Sequence, residues 1–94
     1  MTELSEAAAR DIEDILGQSL LDSGPLQAEK YYESLKHCLE LLGEHPGMGT
    51  IAENVRAGYR RFPHESHVVF SRVSQRGILV VRVLHKRTDV SQHI

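Results

Sequence analysis

Two incompatible hydrophobic rhythms run along this chain, and Pro46 separates them. Before it, apolar residues recur every three or four positions, the spacing of an α-helix face. After it, they alternate or run together over short stretches, as strands do. A chain built this way must pack helices against a sheet, with the helices segregated on one side.

The first rhythm divides in two. Ser5 can cap a helix, and Glu6 behind it suits the positive end of the helix dipole. Ala8, Ile12, Ile15, Leu16 and Ser19 follow on one face, with Arg10, Asp11, Glu13 and Asp14 on the other, predicting a helix from about Glu6 to Leu21. Asp22-Ser23-Gly24-Pro25 is a breaker, and Pro25 fits the first turn of a second helix. Ala28, Tyr31, Tyr32, Leu35, Cys38, Leu39 and Leu42 form its apolar stripe, so both tyrosines and the cysteine read as core. Gly43 and Pro46 end it. So short a turn predicts an antiparallel helical hairpin.

Beyond Pro46, Gly47 to Thr50 is a loop and Ile51 to Ala57 is ambiguous. Tyr59 to Pro63 reads as a strand, His64-Glu65-Ser66 as a turn with two solvated imidazoles at His64 and His67, and His67 to Val73 as a second strand. After a turn at Ser74 to Gly77 comes a third and central strand, Ile78 to His85. Simple alternation places Leu79, Val81, Val83 and His85 on one face, and Ile78, Val80, Arg82 and Leu84 on the other. Arg82 should not face the helices, so the first set is assigned to them. Ile78, Val80 and Leu84 are then left on an open apolar face, the kind of surface a partner covers. The expected fold class is α+β: an N-terminal helical hairpin on a small antiparallel sheet of three main strands, with a stub of strand at Thr2 to Leu4.

The 94 residues are expected to form one domain, burying only about two-thirds of the unfolded surface. A partner covering more apolar surface would stabilise it by mass action. The single cysteine, Cys38, allows no internal disulfide and fits a reducing compartment. The acidic start lacks the basic and apolar regions of a signal peptide, and no apolar run approaches the roughly 20 residues of a membrane helix. The expected location is the cytoplasm. The net charge of −2 conceals a division: residues 1–47 hold three basic and ten acidic side chains, whereas residues 48–94 hold eight basic and three acidic. A basic half points to nucleic acid or an acidic protein, with a solvated strand surface as the ordinary alternative.

Several phrases, in order, resemble the ParE family of the RelE/ParE superfamily, whose fold is RelE-like. They are Leu4-Ser5…Ala8…Asp11-Ile12…Ile15; Glu44-His45-Pro46-Gly47-Met48-Gly49; Asn54-Val55-Arg56-Ala57-Gly58-Tyr59-Arg60-Arg61-Phe62; Ser66-His67-Val68-Val69-Phe70; and Arg82-Val83-Leu84-His85. The resemblance implies a type II toxin that blocks DNA gyrase. It also implies a ParD-like antitoxin: a ribbon-helix-helix DNA binder whose disordered tail folds around the toxin in a hetero-oligomer that represses its own operon. Operator DNA would be reached only through the antitoxin. Candidate antitoxin contacts are Ile78, Val80, Leu84, Arg82 and Phe70, and a tail that orders on binding could cover them. Two departures from the family stand out. The segment before Leu4-Ser5 is short, and Ser71 occupies a position where the family usually has an aromatic residue. A degenerate, non-toxic member is therefore one alternative.

The other is the RelE-like activity, cleavage of messenger RNA in the ribosome. It needs a base, an acid and cations on the phosphate. His85, Arg61 and Arg87 fall near the places where that branch carries such groups. Val68, however, stands where an arginine is expected, and no tyrosine follows Tyr59. No catalytic residue is therefore expected, and the chain is read as a protein inhibitor rather than an enzyme. Arg60, Arg61, Arg72, Lys86 and Arg87 are the candidate target-binding patch, provided the sheet gathers them. His85 is expected at a strand end, buried against a helix or bonded to backbone. Cys38 has no partner that would activate it. His64 and His67 lack the spacing of a metallohydrolase motif, so no metal and no cofactor is expected.

Overall fold

The computed structural model describes residues 1–94. The elements run β1 (Thr2–Leu4), α1 (Glu6–Glu44), β2 (Thr50–Ile51), β3 (Tyr59–His64), β4 (His67–Ser74) and β5 (Gly77–His85), then a 3₁₀ turn at Val90–Gln92. The class is α+β, but the sheet has five strands rather than three and is mixed. Its order is β1-β5-β4-β3-β2, with β1 parallel to β5 and every other pair antiparallel.

Ser5 caps α1 as the sequence implies, accepting the Ala8 N–H at 3.0 Å. Its hydroxyl also donates to the Val81 carbonyl at 2.7 Å, tying the start of the helix to β5. The two helices meet without a loop between them, in one span of 39 residues divided at Gly24, whose backbone is not helical (φ 84°, ψ 174°). That backbone region is nearly closed to any residue with a Cβ. A straight helix of this length would measure about 58 Å, whereas the whole molecule extends 37 Å along its longest axis. The span therefore folds back, and both limbs reach one core. Ala8 comes from the first limb and Leu35, Cys38, Leu39 and Leu42 from the second, all against Val69, Ile78, Val80 and Val83.

Gly43 does not end the helix, which runs to Glu44. Its role is contact: a Cβ there would collide with Met1 and Thr2. The bare backbone lets β1 lie close, where Thr2 donates its hydroxyl to the Leu39 carbonyl at 2.6 Å. Tyr32, assigned to the core stripe, is instead 43% exposed.

The largest correction concerns β5. Phe70 pairs with Arg82 and Ser71 with Val80, so Val81 is skipped in a β-bulge. One extra residue in a period-two strand exchanges the faces on either side of it. Ile78 and Val80 consequently point at the helices and are 1% and 0% exposed, while Val83 beyond the bulge faces the same way. Leu84 lies on the opposite face with Val68 and Phe70. That face is not open either: Val55, Val90 and Ile94 pack over it.

Candidate functional site

The bulge and the short β1 together shape the most elaborate polar region of the molecule. β1 covers β5 only at Ile78 to Val80. Beyond that, the edge of β5 faces the first limb of α1, and Asp11 sits against it. The Asp11 carboxylate accepts the Val83 N–H at 3.0 Å and both the Nε and an Nη of Arg82 at 2.8 Å. A third Arg82 nitrogen donates to the His93 carbonyl at 2.8 Å. The Asp11 hydrogen bonds raise the guanidinium's pKa above its ordinary value. Arg82 was assigned away from the helices because a charge should not pack on them. Paired with Phe70 and two residues before Leu84, it does start on the face away from the helices, and it reaches a helix carboxylate at the edge of the sheet in the two-pronged geometry that suits arginine.

Next to this pair opens a groove of about 680 Å³ between the first limb and the ends of β4 and β5. Asp14, Asp22 and Glu65 give it acidic walls, and Tyr31, His67 and His85 form its floor. Two of these imidazoles belong to a row. His64 pairs with His67 and His67 with His85, so three histidines stand side by side across β3, β4 and β5. His67 and His85 meet edge to face with centroids 5.5 Å apart. The second limb lies over them: Tyr31 Oη is 2.8 Å from His67 Nδ1, and Ser34 Oγ is 3.1 Å from His64 Nε2. Burial, then the Glu65 and Cys38 charges, pushes the Tyr31 phenol up to about 12. Burial, then His85 and His64, lowers the pKa of His67, with Glu65 opposing. His64 and His67 are thus packed groups rather than solvated turn residues, and Tyr31, packed against the core as the sequence implies, also makes a polar contact through its hydroxyl. His85 is exposed, as a strand end can be, and its Nδ1 accepts the Arg87 N–H at 3.1 Å.

The other sequence candidates are dispersed. Arg61 lies on the face away from the helices, 5.7 Å above the Phe70 ring, and so the sheet separates it from His85. Arg72 shares the face of Arg61. Arg60 points the other way and donates to the Gly49 carbonyl at 3.3 Å. Lys86 and Arg87 are exposed in the turn after β5. The five basic residues are therefore not gathered into one patch. Ile78, Val80, Phe70 and Leu84 are at most 6% exposed and present no surface to a partner, which leaves Arg82 as the one partly accessible member of that set. No group of three or more His, Cys, Asp or Glu side chains, the histidine row included, is placed to hold one metal ion. No helix is long and apolar enough to cross a membrane.

Apolar surface lies elsewhere. Leu4 and Tyr32, each more than 40% exposed, flank a groove that also contains Ile12, Leu35 and Leu39, beside the free edge of β1. Sequence reasoning missed Asp11 and the histidine row. A signal existed for the row: residues that flank a two-residue turn become cross-strand partners, and His64 and His67 flank Glu65-Ser66.

Over residues 2–90 the chain matches the family model described as the ParE toxin of the type II toxin–antitoxin system parDE. It is 44% identical over 91 residues to the Toxin ParE1 of Caulobacter vibrioides, covering 97% of this chain and 94% of that one. It is 37% identical over 92 residues to the Toxin ParE1 of Mycobacterium tuberculosis, with the same coverage of 97% and 94%. A solved chain from the chromosomal ParDE toxin–antitoxin system of P. aeruginosa superposes with a TM-score of 0.77 at 20% identity, over 89% of this chain and 92% of that one; at this identity the likeness speaks for the fold.

Proposed function

Since the chain belongs to the ParE toxin family of type II toxin–antitoxin systems, we propose that this toxin inhibits DNA gyrase without chemistry of its own. In this reading it acts in the cytoplasm and is held inactive by a ParD-like ribbon-helix-helix antitoxin. The complex binds the operator through the antitoxin and represses its own operon. The observation that carries the proposal is the family match across almost the whole chain. A second supports it: the groups a ribonuclease would use, His85 and Arg61, sit on opposite sides of the sheet. The groove that holds His85 is walled by carboxylates, which would repel the phosphates of RNA.

The burial of Ile78 and Val80 moves the proposed antitoxin contacts outward. The groove around Leu4, Ile12 and Tyr32 is open as it stands. Phe70 and Leu84 would become available only if Val90 and Ile94 were displaced.

The test is a gyrase supercoiling assay run beside a ribosome-dependent messenger RNA cleavage assay. Inhibition of supercoiling without cleavage, reversed by co-purified antitoxin, is expected. Untouched supercoiling at large molar excess, together with cut messenger RNA, would refute the proposal.

A further inference from the structure

We propose that His64, His67 and His85 form a proton-operated latch between the second limb of α1 and the end of the sheet. The limb is fastened to the sheet differently at its two ends. Toward Glu44 the contact is apolar, made by Leu35, Cys38, Leu39 and Leu42 against Val69, Ile78 and Val80. Toward Gly24 it includes two hydrogen bonds to imidazoles, one helical turn apart, at Tyr31 and Ser34.

The Tyr31–His67 bond depends on protonation. The Tyr31 phenol keeps its proton throughout the physiological range, and in the proposed latch it donates to the lone pair of neutral His67 Nδ1, whose ring then carries its hydrogen on Nε2. Once His67 takes a proton, Nδ1 becomes a donor. The hydroxyl must then turn its hydrogen away from Nδ1, in a half-buried site. The added charge also lies beside His85, 5.5 Å away between ring centroids, and beside its cross-strand neighbour His64. The Tyr31 ring packs at a tilt against both His64 and His67, with centroids 5.8 and 5.7 Å away, so one side chain senses the pair.

Every packed element contributes groups that face this centre. The second limb brings Tyr31, Ser34 and Cys38; the first brings Asp14 and Asp22, with Asp11 already neutralised by Arg82. The turn brings Glu65, and Lys86 and Arg87 follow His85. Glu65 favours the charged form, but burial and the two flanking imidazoles outweigh it, and His67 titrates below its ordinary 6.5. A folded value lowered in this way means that the unfolded chain binds more protons. The stability held by neutral His67 is complete above its ordinary 6.5 and is lost as the pH falls through its lower folded value. Opening the latch frees the Tyr31 end of the limb and widens the acidic groove beside it.

The test uses the full chain. Imidazole titrations by NMR are combined with urea midpoints at pH 7.5 and 5.5. His67 is expected to titrate below 6.5, and the urea midpoint to fall between the two pH values. His67→Gln, which can still accept the Tyr31 hydroxyl hydrogen, is expected to remove at least half of that fall. Should it not fold, His85→Gln changes an exposed residue and is expected to shift the His67 titration upward. A His67 titration at or above 6.5, or an undiminished fall in the His67→Gln chain, overturns the latch.

Discussion

Replacing Asp11 with alanine is the sharpest test of how α1 is locked to β5. Asp11 is the common acceptor for two Arg82 nitrogens and the Val83 N–H, all at 3.0 Å or less. The side chains of Asp11 and Arg82 are only 12% and 19% exposed. Breaking a buried pair by removing one partner costs about 3–5 kcal/mol, because the other charge is left without compensation. Partial exposure of Arg82 and its remaining bond to the His93 carbonyl argue for the low end. We therefore expect a loss of about 3 kcal/mol, which for a domain of this size lowers Tm by roughly 12–24 °C. Urea unfolding of Asp11→Ala measures it directly, with exposed Asp14→Ala as the control, expected within about 0.5 kcal/mol of the parent. The double variant with Arg82→Met should lose less than the sum of the two single changes, because removing both partners abolishes the orphaned charge. If Asp11→Ala and Asp14→Ala are equally mild, the pair does not lock the helix to the strand edge.

Three further outcomes follow from the packing. Gly43→Ala should push β1 away from α1 at a cost of about 1–3 kcal/mol, read as faster hydrogen exchange at the Ile78 N–H, which bonds to the Met1 carbonyl. Gly24→Ala places a Cβ at φ 84° and should cost about 1–3 kcal/mol in urea while leaving far-UV circular dichroism nearly unchanged. Leu84→Ala, in the small cluster under Val90 and Ile94, should cost about 2–5 kcal/mol and increase protease access to residues 90–94.

Much of the fold was legible because it is local. The Ser5 cap, the break at Gly24-Pro25 and the starts of β3, β4 and β5 each depend on a few neighbouring residues whose backbone preferences act wherever the chain goes. The phrases that carried the resemblance are spread over the same segments, and membership of the family follows from them. The candidate site was less legible. Apolar side chains occupy every position from Ile78 to Val81, so alternation has no phase there, and nothing in the run itself marks Val81 as the skipped residue.

What the sequence alone determined is therefore the list of elements, their order and the residues that want burial. Only the tertiary structure decided which face each β5 residue takes, that Arg82 finds Asp11 across 71 positions, and that three histidines from three strands share one row under Tyr31. The physical reason is pairing register. Hydrophobic demand says that a side chain must be covered. The hydrogen-bonded ladder, with its one bulge, settles what covers it, and that ladder forms between segments whose separation along the chain no local pattern records.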